Sequence, residues 1–179
     1  MNMLVPQLVA GLSNGSILLL AALGLSLTFG QMGVINNAHG EFMMAGAYTA
    51  YVMSTVFASK TLALGLALVA GFVVAGLLGL LLDVLLLSRM RTRPLDTLLV
   101  TFGVSLVLQQ VARDIFGSTG VYAQAPEALT GPVTLFGYDF PASRLFIFVV
   151  SVVCVAALYA VLKFTPLGRR IRATAENRD

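Results

Sequence analysis

The sequence predicts an all-α fold, a polytopic integral membrane bundle of about five membrane-spanning helices, from three observations. Hydrophobic residues make up 58% of the 179 residues and charged residues only 11%, whereas soluble domains carry about 25% charged residues. The mean hydropathy is +0.92. The apolar residues also fall into runs close to the roughly 20 residues that one helix needs to cross a bilayer.

The apolar runs predict five spans in one domain. The first precedes every charged residue and lacks the basic start of a cleavable signal peptide. The second is short and lies between Glu41 and Lys60, the third carries Asp83 near its end, the fourth follows an arginine-rich loop, and the fifth ends before Lys163. The predicted spans are 7–29, 42–58, 61–87, 95–112 and 145–162, with an outer loop at 113–144 and a tail at 163–179.

The basic residues predict the orientation of the bundle. With five spans, the loop SRMRTRP and the tail lie on one side, and together they hold eight of the eleven Lys and Arg residues. Cytoplasmic loops carry the excess of positive charge in membrane proteins. We therefore expect the N-terminus outside and the tail in the cytoplasm, with residues 34–48 at the cytoplasmic ends of the first two helices.

Small residues recur every four positions on the third helix and are repeated on the first. This spacing lets two helix backbones approach closely, which is how helices associate in lipid. The pattern predicts ordinary packing inside the bundle or, alternatively, a dimer face. The predicted packing residues on the first helix are Gly11 and Gly15. Those on the third helix are Ala67, Gly71, Ala75 and Gly79, in one stripe with Ala63.

Two local signals lie outside the spans. In the outer loop, VTLFGYDF predicts a small hairpin of two short strands around Gly137. After the last span, Thr165 followed by Pro166 is typical of a helix N-cap with proline in the first turn. We therefore expect a short helix to start at Thr165.

The segment VINNAHGEFMMAGAY, residues 34–48, places polar side chains within an otherwise apolar region. Its glycines and asparagines break the helix, and irregular backbone at membrane depth is tolerated only where it is buried or lines a wet cavity. Glu41 then falls in the first turn of the second helix, where a carboxylate favours the positive end, and His39 pairs with Glu41 or with a freed carbonyl. The segment is either a capped structural turn or part of a transport path or gate, formed by Asn36, Asn37, His39 and Glu41.

Several functional classes are excluded by what the sequence lacks. The chain has no GxxxxGK[ST] phosphate loop and no HExxH zinc pair, so we expect neither an enzyme nor a cofactor or metal site. The net charge of +3 is small and gives no reason to expect nucleic acid binding. Ionisable groups predicted near helix ends, rather than at mid-membrane, disfavour an ion-coupled carrier. We therefore expect energy to come from another subunit.

Three motifs resemble the permease subunits of ABC importers for branched-chain amino acids and their relatives, including a urea-importing branch. They are GLSLTFGQMGVINNAHGEFMMAGAY at 24–48, RPLDTLLVTFGVSLVLQQVARDIFG at 93–117 and TPLGRRIRATAENRD at 165–179. The first follows the family pattern V-I-N-x-A-H-G-E-F, with matches at Val34, Ile35, Asn36, Ala38, His39, Gly40, Glu41 and Phe42.

The resemblance implies a multi-pass protein of the bacterial inner membrane and a set of partners. These are a second related permease subunit, two cytosolic ATPases and an extracytoplasmic solute-binding protein that lands on the outer loop, which is otherwise a simple lid. The tail implies an ATPase-coupling region or, alternatively, a plain basic anchor on membrane lipid; its residues are Arg169, Arg170, Arg172, Glu176 and Asn177.

The second motif and PEALTG, residues 126–131, are closer to the urea branch than to the amino-acid branch, although Ala128 stands where that branch often has Trp. They favour urea or a short amide slightly over branched-chain amino acids. By resemblance the chain covers about the first three-fifths of a family member, so we expect the permease domain to be incomplete at its C-terminus. The alternatives are an ATP-independent channel or carrier for a small polar solute and a non-transporting membrane scaffold.

Overall fold

In the computed structural model, residues 4–33, 35–90, 94–135, 138–166, 168–169 and 171 are described. Helices dominate this part of the chain. The elements are α1 (Leu4–Met32), α2 (His39–Val56), α3 (Lys60–Leu82), a π-helical turn (Asp83–Leu87), α4 (Ser88–Met90), α5 (Pro94–Phe116), α6 (Glu127–Thr130), β1 (Pro132–Leu135), β2 (Tyr138–Pro141) and α7 (Ala142–Phe164).

Within the described residues, four helical segments are long and apolar enough to cross a membrane. They are Gln7–Gly30, Lys60–Met90, Leu95–Phe116 and Ala142–Phe164. Large apolar side chains on them stand exposed, such as Leu8, Phe72 and Val107, as lipid contact requires. The chain is thus a helical, multi-pass membrane protein. The predicted second span forms a helix, α2, but it is not among the four, because Glu41 and several hydroxyl side chains make it less apolar.

The helix ends differ from the predicted span ends by a few residues. The fourth span was predicted to stop at Ala112, yet α5 continues to Phe116. Its last turns are held together by side chains, because Gln110 donates to Asp114 at 2.7 Å and Arg113 donates to Gln110 at 2.9 Å. Gly117 follows with φ 86°, a left-handed conformation that commonly ends helices at glycine.

The chain divides into two compact units, which are described separately. The first contains α1 as far as Gln31 and all residues from Glu127 onward. The second runs from Met32 to Pro126 and contains α2, α3, the π-helical turn, α4 and α5.

In the first unit the predicted hairpin is confirmed. β1 and β2 pair antiparallel with Val133 opposite Phe140 and Thr134 opposite Asp139. The Thr134 hydroxyl donates to Asp139 at 2.6 Å. The predicted cap at Thr165 is also confirmed, since Gly168 N–H donates to Thr165 Oγ1 at 3.1 Å, which satisfies one of the unpaired N–H groups of a helix start.

In the second unit, α2 and α3 pack antiparallel through small residues. A Cβ atom placed on Gly71 would lie 3.6 Å from Gly46 Cα, and one on Gly79 would lie 3.9 Å from the Phe42 ring. Ala63 and Ala67 are buried, so the small-residue side of α3 faces inward, whereas other side chains such as Leu66, Val73 and Leu77 are exposed. The two backbones approach closely at Gly71, where a Cβ atom would touch Gly46 at van der Waals distance and a longer side chain would meet the α2 backbone.

The π-helical turn brings two leucines into one cluster. In a regular α-helix, Leu82 and Leu87 would lie about 140° apart around the axis, since each residue advances by about 100°. Here both are buried against Ala38. The wider turn alters the local carbonyl directions, and Arg89 donates to the Val84 carbonyl at 2.9 Å. The turn therefore packs against the backbone segment that precedes α2.

Candidate functional site

The backbone that precedes α2 is folded into the second unit. Asn36 is buried, and its side-chain oxygen accepts from Ala38 N–H at 3.0 Å. Its carbonyl accepts from His39 N–H at 3.2 Å, and the Ala38 carbonyl accepts from Glu41 N–H at 3.1 Å. These bonds satisfy the irregular backbone inside protein, as a helix break within a membrane requires.

This segment lies against the inner half of α5 rather than at its end. Asn37 N–H donates to Thr101 Oγ1 at 3.2 Å. Thr101 is seven residues along α5 from Pro94, or about 10 Å along the axis at 1.5 Å per residue. α2 therefore begins about two turns into α5, while Ala38, which precedes it, packs against Leu87 just before α4.

The carboxylate of Glu41 lies one turn further along α5. Ser105 Oγ donates to Glu41 Oε1 at 2.7 Å and Gln109 Nε2 donates to the same oxygen at 2.8 Å. Ser105 is the middle residue of α5. On α3, by contrast, the Phe42 ring packs beside Gly79, in the last turn of that helix, so the expectation that Glu41 lies near the cytoplasmic ends of the helices stays a prediction. An ionisable side chain inside a membrane helix bundle marks a functional site by default.

The partners of Glu41 belong to a polar stripe on α5 that the sequence analysis did not single out. Thr97, Thr101 and Ser105 are buried, and Gln109 continues the series at the same spacing of four. Residues four apart lie on one face of a helix. Thr97 donates to the Met90 carbonyl at 3.1 Å, so the stripe joins the start of α5 to Glu41. The spacing of four is visible in the sequence and could have revealed it.

A cavity of about 330 Å³ adjoins Glu41. This volume is at the lower end of the range for small-molecule sites. α2, α3 and α5 all contribute to its wall. The lining residues are Glu41, Met44, Ala45, Tyr48, Thr49, Val52, Val74, Leu78, Leu108, Val111, Ala112, Ile115 and Phe116.

The chemistry of this cavity is that of an apolar pocket with one charge. Tyr48 and Phe116 are stacked with ring centroids 4.2 Å apart. The Thr49 hydroxyl donates to the Ala45 carbonyl at 2.8 Å, which leaves its methyl group to the wall. Among the described residues, no group of three or more His, Cys, Asp or Glu could hold a metal ion. The arrangement suits binding of a small solute with one polar end.

The remaining predicted residues fall in different places. Asn36, Asn37, His39 and Glu41 come together at the start of α2, and the pairing of Glu41 is with α5 rather than with His39. Arg169 is exposed in the tail. The other predicted coupling residues, Arg170, Arg172, Glu176 and Asn177, lie outside the described residues.

The first unit holds a larger groove, of about 1030 Å³, between α1 and α7. Gly11 and Gly15 line it, and nothing described lies within 4 Å of a Cβ atom placed on either. Most of its wall is apolar, with Leu8, Leu12 and Val152 among the lining residues. The groove contains no charged side chain among its lining residues.

Comparison with known proteins places the chain in a family. A family model described as branched-chain amino acid transport system / permease component matches residues 7–179. The chain is 29% identical to the high-affinity branched-chain amino acid transport system permease protein BraD of Pseudomonas aeruginosa, over 96% of this chain and 59% of the relative. It is 27% identical to the permease protein LivH of the Escherichia coli high-affinity branched-chain amino acid transport system, over 96% of this chain and 58% of the relative.

The chain thus spans somewhat less than three-fifths of the length of these curated relatives. No solved structure matches it with significance. The match to the family model extends over nearly all of the chain and includes the Glu41 segment and the polar stripe of α5. This chain belongs to the family of permease components of branched-chain amino acid transport systems, which are transport proteins rather than enzymes.

Proposed function

We propose that this chain is part of a permease subunit of an ABC importer in a bacterial inner membrane, and that the importer carries branched-chain amino acids. The observation that carries the proposal is the carboxylate of Glu41, held by Ser105 and Gln109 between helices of the bundle and beside an aliphatic cavity. An ionisable group in such a position is costly in a membrane and commonly marks a substrate path.

The wall of the cavity supports an amino acid over urea. Val52, Val74 and Leu78 line one part of it and Leu108, Val111 and Ile115 another. A branched aliphatic side chain gains free energy by leaving water for such a wall, at about 25 cal/mol for each Å² buried. Urea has no apolar part and would leave the wall without a matching surface. The sequence similarity to the urea branch therefore carries less weight than the cavity.

The proposed partners follow from the family. They are a second related permease subunit, two cytosolic ATPases and a solute-binding protein on the outer face. The chain contributes no phosphate-binding loop of its own, so the energy for uptake comes from the ATPases. The exposed Arg169, which follows the capped turn at Thr165, is a candidate contact to an ATPase or to anionic lipid headgroups.

The experiment is uptake of labelled leucine and labelled urea in cells that lack the gene, restored with the full-length reading frame. We expect leucine uptake to return and to disappear when the partner ATPase gene is deleted. If urea is taken up and leucine is not, the proposed substrate is wrong, whereas the family assignment is unaffected. Uptake that survives deletion of the ATPase would favour the channel or carrier alternative, and a scaffold would restore no uptake of any solute.

A further inference from the structure

We infer that Glu41 binds the ammonium group of the substrate through Oε2, and that Ser105 and Gln109 are positioning residues that hold the carboxylate by its other oxygen. This inference rests on the proposed function, because it takes an aliphatic amine-bearing solute as the substrate. It adds that Glu41 determines substrate specificity, with one carboxylate oxygen bound to the protein and the other bound to the substrate.

The hydrogen bonds of Glu41 are distributed unequally. Both Ser105 Oγ and Gln109 Nε2 donate to Oε1, at 2.7 and 2.8 Å, and Gln109 Nε2 also lies 3.2 Å from Ser105 Oγ. An ionised carboxylate has about four acceptor positions on two oxygens. Within the described part of the chain, no group donates to Oε2. The carboxylate is therefore fixed in orientation while one oxygen keeps its capacity to accept.

The charge of Glu41 is also uncompensated. No described Lys, Arg or His side chain forms an ion pair with it, and its two partners are neutral. An ionised side chain that lines a mostly apolar cavity favours an opposite charge, because ion–ion attraction is stronger where water is scarce. A substrate ammonium supplies that charge and up to three N–H donors. The site is thus better matched to a cation than to a neutral amide such as urea.

The rest of the cavity selects the other end of the ligand. Beyond Glu41, the wall is built mainly from aliphatic and aromatic side chains of three helices. Two side chains on α2 add polar groups to this wall: the Thr49 hydroxyl, which donates to the Ala45 carbonyl, and the Tyr48 hydroxyl, whose ring stacks on Phe116. The described residues therefore recognise an ammonium joined to a branched aliphatic chain, and they provide no basic group for the substrate carboxylate.

The test uses the purified full-length importer complex in lipid nanodiscs, without its solute-binding protein. Three ligands of similar size are compared by saturation-transfer difference NMR: leucine, 3-methylbutylamine, which lacks the carboxylate, and 4-methylpentanoate, which lacks the ammonium. We expect leucine and the amine to bind with dissociation constants within a few-fold of each other. The acid should bind at least about tenfold more weakly, because it loses one hydrogen-bonded charge contact. This comparison needs no variant to fold.

The variants assign the effect to Glu41. Glu41→Gln keeps an oxygen for Ser105 and Gln109 but removes the charge, so it should weaken leucine and the amine by similar factors and, by removing like-charge repulsion, should not weaken the acid. Glu41→Asp should recover part of the amine binding. The matched control is Glu127→Gln, at an exposed glutamate of α6, which should change none of the three.

Two results would overturn the inference while the proposed function stands. One is a complex that takes up leucine in cells but binds the acid as well as the amine. The other is unchanged amine binding in Glu41→Gln. If instead the wild-type importer takes up no leucine in cells, the proposed function is wrong. The uptake assay therefore tests the proposed function, and the binding of the analogues tests the role of Glu41.

Discussion

The two compact units each contain a cavity, and the smaller one carries the chemistry. The groove of the first unit is about three times larger, but its lining residues include no charged side chain. The cavity of the second unit is lined by Glu41, whose carboxylate is held by two donors from another helix. In a soluble protein, the largest apolar pocket is the default site. In a membrane protein apolar grooves are also where helices and lipid pack, so a charged group at depth is the better guide.

The largest expected effect comes from removing the carboxylate. Glu41→Leu would leave the Ser105 hydroxyl without its acceptor, at about 1–3 kcal/mol, and would leave the Gln109 amide with only its longer bond to Ser105 Oγ. We expect the variant to lose both leucine uptake and thermal stability in detergent, measured by fluorescence-detected size-exclusion after heating. Glu41→Gln should lose uptake but keep most of the stability. Equal stability of Glu41→Leu and wild type would contradict the hydrogen bonds described for this site.

The next effect tests the helix contact that supports the site. Gly71→Leu should push α3 away from Gly46 on α2, at a cost of about 1–3 kcal/mol typical of overpacking. We expect a lower melting temperature of the full-length complex in detergent. Gly65→Leu and Gly76→Leu are matched controls on the same helix, because nothing described lies within 4 Å of a Cβ atom at either position. If all three variants melt alike, the contact between α2 and α3 does not depend on these glycines.

A smaller effect separates two adjacent glutamines on α5. Gln109→Ala removes one donor from Glu41 and should weaken leucine binding by about 0.6–2 kcal/mol, the range for hydrogen bonds between membrane helices. Gln110→Ala should change binding by less than about 0.5 kcal/mol, because the Gln110 side chain is exposed and bonded to Arg113 and Asp114. Binding is measured by NMR titration of the complex. If Gln110→Ala weakened binding more than Gln109→Ala, the functional face of α5 would be the one that carries Gln110.

The smallest expected effect concerns the groove of the first unit. Gly11→Leu fills space that no described side chain occupies, so leucine affinity should change by no more than about 0.5 kcal/mol. The measurement is the same NMR titration, with the amount of assembled complex recorded beside it. A loss of assembled complex would support the packing role predicted for Gly11 and Gly15, whereas a loss of affinity with normal assembly would move the functional site to the first unit.

The accurate predictions concern features set by neighbouring residues. The apolar runs predicted five spans, and four of them correspond to described helices that are long and apolar enough to cross a membrane. The hairpin followed from strand-forming residues on both sides of a glycine, and the cap at Thr165 from a threonine followed by proline. Each of these depends on interactions within a few residues along the chain, so the local pattern contains the necessary information.

The sequence did not reveal the partners of Glu41 or the character of α2. Length and position alone suggested a full span, whereas α2 is not among the four described helices that are apolar enough to cross a membrane. The partners of Glu41 follow from which part of α5 lies beside α2, through bonds to residues 64 and 68 positions away in sequence. The polar stripe of α5 was visible as a spacing of four, but nothing local identifies the helix that it faces.

By itself, the sequence determined that this protein is a helical bundle for a lipid environment, because its apolar residues are too many and too continuous for a soluble core. It also determined that the helix after Met32 must break, through glycine and asparagine. Only the tertiary structure decided that Asn36 and Ala38 of the break are buried, beside α5 and the π-helical turn. That packing brings the Glu41 carboxylate to Ser105 and Gln109 of α5. The physical reason is that helix formation is governed by local sequence, whereas burial depends on contacts between distant segments.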